Sequence, residues 1–169
     1  WWTSWDELFP FIVEFSNDPP AVVSSSLMVV EDIPTVGQLS ASDGNLDRLT
    51  FLVGTAPSHG VLNLSASTGK YTYIPNANYS GADSFSFKVN DGTTDSAVAS
   101  VSITVSPVND LPTGDVWIAG TPKVGEVLEA GNSLADADGL GTVSYQWFVD
   151  NAPITGATSN ELPVIAEYI

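Results

Sequence analysis

The oxygen-bearing side chains of Ala41-Ser42-Asp43-Gly44-Asn45-Leu46-Asp47 include Asp43, Asn45 and Asp47 at alternate positions. Within a turn, oxygens at i, i+2 and i+4 can converge on one hard cation. Ala135-Asp136-Ala137-Asp138-Gly139 repeats the spacing further along the chain. Calcium takes six to eight oxygens at about 2.3 to 2.6 Å in flexible geometry, whereas magnesium demands a stricter octahedron, so loops of this kind suit calcium. Further acids stand beside turn residues: Glu31 and Asp32 before Pro34, Asp83 after Gly81, Asp91 before Gly92, and Asp110 after Asn109. The candidate metal ligands are therefore Glu31, Asp43, Asn45, Asp47, Asp91, Asn109, Asp110, Asp136 and Asp138. Taken singly, each also suits a metal-free turn, because Asp, Asn and Gly tolerate left-handed backbone and form Asx-turns. As a set, in a chain with few counter-charges, they make Ca²⁺ the expected cofactor.

Composition narrows the alternatives. The 169 residues carry 20 acids against 4 basic residues, a formal charge of -16, which opposes binding to nucleic acid or to an anionic membrane surface. Cysteine is absent and His59 is the single histidine, so disulfides, thiolate chemistry and multi-histidine metal centres are excluded. A hydrophobic fraction of 43% with only 14% charged residues is that of a folded chain. No apolar run has the length of a membrane span, and the start at Trp1 lacks the pattern of a signal peptide, as expected of an excised fragment.

The elements that must hold the loops are strands. Leu49, Phe51 and Val53 alternate with Arg48, Thr50 and Leu52, Phe85, Phe87 and Val89 with Ser84, Ser86 and Lys88, and Ala99, Val101, Ile103 and Val105 with Ser100, Ser102, Thr104 and Ser106. Adding 26–30, 36–42, 60–65 and 70–74 gives about seven strands, separated by turns such as Asp43-Gly44-Asn45, Thr68-Gly69 and Asp91-Gly92. That spacing predicts an all-β Greek-key sandwich. Asn17-Asp18-Pro19 and Asn109-Asp110-Leu111-Pro112 lie 92 residues apart, close to the length of one such sandwich, and mark joints in a tandem array. The expected organisation is a remnant of a preceding segment over 1–16, one β-sandwich repeat over 17–108, and a truncated second β module over 109–169. The last has strands expected near 115–118, 126–130, 142–149, 153–154 and 161–165. In the remnant, Trp1 to Phe9 suits a short helix and Phe11-Ile12-Val13-Glu14-Phe15 a final strand.

Several longer runs resemble a known family. Glu31-Asp32-Ile33-Pro34, Leu39 to Phe51, Pro57-Ser58-His59-Gly60-Val61-Leu62, Tyr71 to Phe85, Val89-Asn90-Asp91-Gly92 and Val108-Asn109-Asp110 resemble the bacterial cadherin-like tandem repeats of large surface adhesins and RTX-type proteins. The resemblance covers about residues 17 to 112. The family usually carries Asp-x-Asp-Gly-Asp in the first loop, where this chain has Asn45 for the middle acid and Leu46 for the glycine. Residues Gly120 to Gly125, Leu134 to Gly141 and Ser144-Tyr145-Gln146-Trp147 are similar to an Ig-like repeat, which implies that Trp147 is that module's core tryptophan. Together the resemblances imply an extracellular, calcium-rigidified structural or adhesive module of a secreted or surface-bound bacterial adhesin.

No catalytic role is expected: His59 lies in a Pro-Ser-His-Gly turn and no Gly-x-Ser-x-Gly elbow is present. Tyr71 and Tyr73, at strand period, suit the core better than a sugar platform. Neighbouring repeats of the same chain are the expected partners, with cell-surface glycan or protein as further ones, and with neither nucleic acid nor membrane insertion. The alternative is a carbohydrate- or protein-binding sandwich appended to a secreted enzyme, in which calcium only orders the loops.

Overall fold

A computed structural model of the chain describes residues 16–168, and the helix and strand expected within 1–15 lie outside those residues. The chain divides into two compact units between Pro107 and Val108.

Unit 1 is a β-sandwich of nine strands: β1 (Ala21–Val23), β2 (Ser25–Val30), β3 (Thr35–Gln38), β4 (Ser40–Ser42), β5 (Thr50–Val53), β6 (Gly60–Leu64), β7 (Lys70–Pro75), β8 (Gly81–Asn90) and β9 (Ala99–Ser106). One sheet has the order β2-β9-β8-β5 and the other β3-β7-β6, with β1 and β4 forming a separate pair. The period-two pattern explains the packing. In β9 every odd residue from Ala99 to Val105 is buried and the residues between them are exposed up to Thr104. Phe85, Phe87 and Val89 of β8 point the same way, and meet Tyr71 and Tyr73 of β7 across the core. The Tyr71 and Phe85 rings pack edge to face with centroids 5.2 Å apart, the geometry that aromatic quadrupoles favour.

Two departures from the expected seven strands share a cause. The stretch 36–42 breaks at Leu39, whose side chain is buried and whose amide bonds Gly69 O at 2.9 Å. On one side β3 pairs with β7, and on the other β4 pairs with β1, so the chain changes partners at that break. The leading segment does the same at Ser24: β1 pairs with β4, then β2 joins the four-stranded sheet, lying parallel to β9 over six paired positions. Val53, expected to face the core, is 44% exposed at the end of β5, whereas Phe51 on the same strand is buried.

Unit 2 holds β10 (Val116–Ala119), β11 (Val127–Asn132), β12 (Phe148–Val149), β13 (Ala152–Pro153) and β14 (Glu161–Pro163), then a 3-10 turn at Ala166–Tyr168. Its main sheet has the order β10-β11-β14, and β12 and β13 form a two-residue hairpin. Trp147, Leu162 and Val164 are buried, and the Trp147 indole N–H donates to Ser159 O at 2.8 Å. The strand expected over 142–149 shrinks to Phe148–Val149. A strand exists only where a neighbour takes its backbone hydrogen bonds. Within 142–147 it is Trp147 whose backbone finds partners, its amide donating to Ala157 O at 3.1 Å and its carbonyl accepting the Ile154 amide at 2.9 Å.

Candidate cation-binding loops

The loop between β4 and β5 begins with Asp43, whose Oδ1 accepts the amides of Asn45 at 2.8 Å and Asp47 at 3.1 Å. This is an Asx-turn nested in a wider one, which Asp forms locally because its short side chain reaches its own backbone two residues on. Leu46 closes the turn with φ of 66° and is 91% exposed. Left-handed backbone of this kind costs an L-residue roughly 1 kcal/mol, which explains the glycine that the resembling family carries there.

The same loop recurs in unit 2. Asp136 Oδ1 accepts the Asp138 amide at 2.9 Å, and Gly139 supplies the positive φ, here 102°. In each unit the loop holds the Asn-Asp segment that leads into it. Asn45 Oδ1 accepts the Asp18 amide at 2.8 Å, and Asp138 Oδ2 accepts the Asp110 amide at 2.6 Å. Gly44 lies close against this segment, since a Cβ there would stand 3.3 Å from Asp18 Oδ2. Asn109 turns its Nδ2 to Asp110 O at 2.7 Å.

Asp91, just after β8, joins the loop at the start of unit 1. Its Oδ1 accepts the amides of Thr93 and Thr94, and its Oδ2 accepts the Thr94 hydroxyl at 2.8 Å and Asn17 Nδ2 at 2.9 Å. The Thr94 amide and the Asn17 carboxamide, followed by Thr93 and the Thr94 hydroxyl, hold its carboxyl well below the usual carboxylate range. Glu31 sits elsewhere. It follows β2, is buried, and its amide donates to Ser106 O at 3.0 Å. Since β8 and β9 are antiparallel, Asp91 and Ser106 mark opposite ends of the four-stranded sheet. The ten residues of β8 span about 30 Å between those ends. Glu31 and Asp91, both candidate ligands, therefore stand at opposite ends of the sheet, and Asp91 belongs with Asn17, Asp18, Asp43 and Asn45.

Asp47 contributes its amide to the turn while its side chain is exposed. Among the described residues, no three His, Cys, Asp or Glu side chains converge into a ready-made metal cage. One observation does fit a cation: Asp43 Oδ2 is buried and has no hydrogen-bond partner. A carboxylate oxygen withdrawn from water without a donor is costly, and a cation would satisfy it. Asn17 and Asp18 were not among the expected ligands. The 92-residue spacing that nominated Asn109 and Asp110 nominates them equally.

Asp83 has a different task. Its Oδ1 accepts the amides of Ser58 and Ser84, and its Oδ2 accepts the His59 amide at 2.9 Å and the Tyr73 hydroxyl at 2.8 Å. Burial works against its ionisation, but the Ser58 and His59 amides, the Tyr73 hydroxyl and the Ser84 amide outweigh it and lower its pKa. Burial and the Asp83 carboxylate push the Tyr73 hydroxyl up. Every oxygen is used to fasten the 55–59 loop to the sandwich, and His59 stacks flat on Tyr79 at 4.1 Å.

A family model described as a bacterial cadherin-like domain matches residues 17–107. The chain belongs to the bacterial cadherin-like family. The cadherin-like module thus comprises the sandwich of unit 1 together with its leading Asn17-Asp18. Integrin beta-like protein B of Dictyostelium discoideum is 30% identical over 112 residues, covering 57% of this chain and 6% of that protein. Integrin beta-like protein C of the same organism is 35% identical over 80 residues, 41% of this chain and 4% of that protein. The chain spans under a tenth of the length of these curated relatives. Among solved structures, protocadherin gammaB7 EC3-6 superposes with a TM-score of 0.49 at 14% identity, over 85% of this chain and 38% of that one. An endo-fucoidan hydrolase of glycoside hydrolase family 107 gives a TM-score of 0.44 at 19% identity, over 90% of this chain and 26% of that one. Among the described residues, no helix is long and apolar enough to cross a membrane.

Proposed function

We propose that this cadherin-like chain is a non-catalytic, extracellular adhesion-type repeat of a bacterial surface or secreted protein, in which calcium at the repeat junctions stiffens the array. The observation that carries the reading is the buried, donor-less Asp43 Oδ2, in a loop whose geometry is repeated in unit 2. Asp18, Asp43, Asn45 and Asp91 would supply oxygens at the start of unit 1. Asn109, Asp110, Asp136 and Asp138 would do so at the start of unit 2, and Glu31 stands at the end of unit 1 from which the chain leaves. The partners in this reading are neighbouring repeats of the same chain. The family and the integrin beta-like relatives support an adhesion setting. When bound, the ion neutralises carboxylates that otherwise repel, and each acid's share is to present its oxygen in a turn already built.

Thermal melting with calcium and with chelator, together with scattering for molecular length, tests this. Extracellular calcium modules bind with dissociation constants of about 10⁻⁴ to 10⁻³ M. At 100 times that constant calcium would add about 2.7 kcal/mol, together with a longer, more uniform particle. Melting and length that are both indifferent to calcium overturn the reading.

A further inference from the structure

The main sheet of unit 2 leaves one face open. Leu128 of β11 pairs with the buried Leu162 of β14 on the inner face. Trp117 and Ala119 of β10, Val127 and Glu129 of β11, and Glu161 and Pro163 of β14 share the opposite face, where each is exposed. Trp117 pairs with Gly131, and its indole lies across that glycine, since a Cβ there would stand 2.6 Å from Nε1. An aromatic ring laid over a strand glycine covers bare backbone. The indole nevertheless remains 50% exposed, and among the described residues its N–H has no acceptor. Beside it, Glu129 pairs directly with Glu161. The Ala130 amide donates to Asn160 O and the Val164 amide to Glu126 O, so the hydrogen-bonded positions flank this pair. Glu129 and Glu161 are therefore a non-hydrogen-bonded pair, with Cβ atoms about 4.5 to 5.5 Å apart. Like charges set opposite each other this closely destabilise a sheet. Among the described residues neither carboxylate meets a Lys, Arg or His, the salt bridge being that of Lys88 with Asp95 in unit 1.

We propose that this face docks an arginine side chain of a basic partner protein, with the guanidinium between Glu129 and Glu161 and its plane against the Trp117 indole. The register brings the three together: Ala119, two residues after Trp117, is the cross-strand partner of Glu129, so the carboxylates lie about 7 Å along the face from the tryptophan. Charge selects the occupant. A chain of net charge -16 repels a second copy of itself and attracts a cation, above all where two of its acids repel each other. A guanidinium is planar, offers five donors in a fork that two carboxylates can share, and stacks on an indole, the aromatic that cations favour most. A metal ion would use the carboxylates and leave Trp117 without a role. Val127 and Pro163, on the far side of the pair, suit the aliphatic stem of a long cationic side chain. This docking is independent of the calcium reading, which concerns the loops at the start of each unit.

NMR titration of the full chain with N-acetyl-arginine amide, beside its neutral isostere N-acetyl-citrulline amide, tests this. At about 150 mM salt, where diffuse attraction is screened, arginine should shift the Trp117 indole N–H and the Glu129 and Glu161 amides along one binding curve. Citrulline should bind at least about tenfold more weakly. Glu161→Gln and Trp117→Leu should each weaken arginine binding about fivefold, read at the Glu129 amide. Both side chains are exposed, and the Trp147 indole signal, whose N–H is bonded to Ser159 O, reports that unit 2 stays folded in each variant. Glu161→Gln should also raise the melting temperature of unit 2, because it relieves the repulsion. Equal shifts with citrulline, shifts spread evenly over the acidic loops, or binding indifferent to both substitutions overturns the proposal. So does loss of the arginine shifts when calcium chloride replaces EDTA at matched ionic strength, since the carboxylate pair would then belong to the metal.

Discussion

Among the described residues, twelve hydrophobic side chains, eleven from the two sheets together with Leu39, bury themselves in one cluster in unit 1, whereas unit 2 buries Trp147, Leu162 and Val164. In unit 2 the short β10 exposes both its faces, with Val116, Trp117 and Ile118 each at least half open to solvent. Yet the Asp43 and Asp136 loops fold alike, to within 0.1 Å in the shared Asx bond. The loop is written in four or five adjacent residues and needs no large core. The sheets need partners far along the chain, and their extent follows the number of partners present.

The sharpest way to break this contrast is at the centre of unit 1. Phe87 is fully buried, and Phe87→Ala should cost about 3 to 5 kcal/mol. Urea denaturation should show unit 1 losing its transition, and a loss below about 1 kcal/mol would mean that the cluster does not act as one core. In Asp83→Asn the anionic acceptor of Tyr73 and three amides becomes a neutral one, with an expected loss of about 1.5 to 3 kcal/mol. Near-UV circular dichroism of the tyrosines should register it. For unit 2, Trp147→Phe removes the indole bond to Ser159 and part of the fill, at about 1 to 2 kcal/mol, measured by denaturation of that unit.

Acid should separate the units further. Both Asp83 and Asp91 have folded pKa values below the ordinary carboxylate value of about 3.9. Their contribution to stability is complete above that value, and falls away as the pH drops through the folded pKa. The melting temperature of unit 1 should therefore decline below about pH 4, and Asp91→Asn should flatten that decline. A slope unchanged in Asp91→Asn would show that its hydrogen bonds survive protonation. The smallest effect is expected at Leu46, where relief of left-handed backbone opposes the greater unfolded-state freedom of glycine. Leu46→Gly should stabilise by at most about 1 kcal/mol, whereas Gly139→Leu should destabilise unit 2, both read by thermal melting.

Much of the sandwich was legible because β8 and β9 alternate strictly, and Tyr71 and Tyr73 carry the same period into the opposite sheet. The partner changes at Ser24 and Leu39 were not, since nothing in the local residue types distinguishes a strand that continues from one that exchanges neighbours. In the loops, Asp43, Asn45, Asp136 and Asp138 were visible from spacing, because an Asx-turn is a local event. The grouping of Asp91 with Asn17 was not, as it depends on which end of the sheet each strand reaches. Residues at both ends of β8 look equally acidic in one dimension.

The parallel pairing of β2 with β9 has a mechanical corollary. The chain arrives at the start of β2 and departs from the finish of β9, at opposite ends of that pair. Tension transmitted along a string of such repeats would slide these two strands past each other in shear, loading their six paired positions together instead of peeling them apart one by one. The paired strands β2 and β9 are thus placed to act as a force clamp.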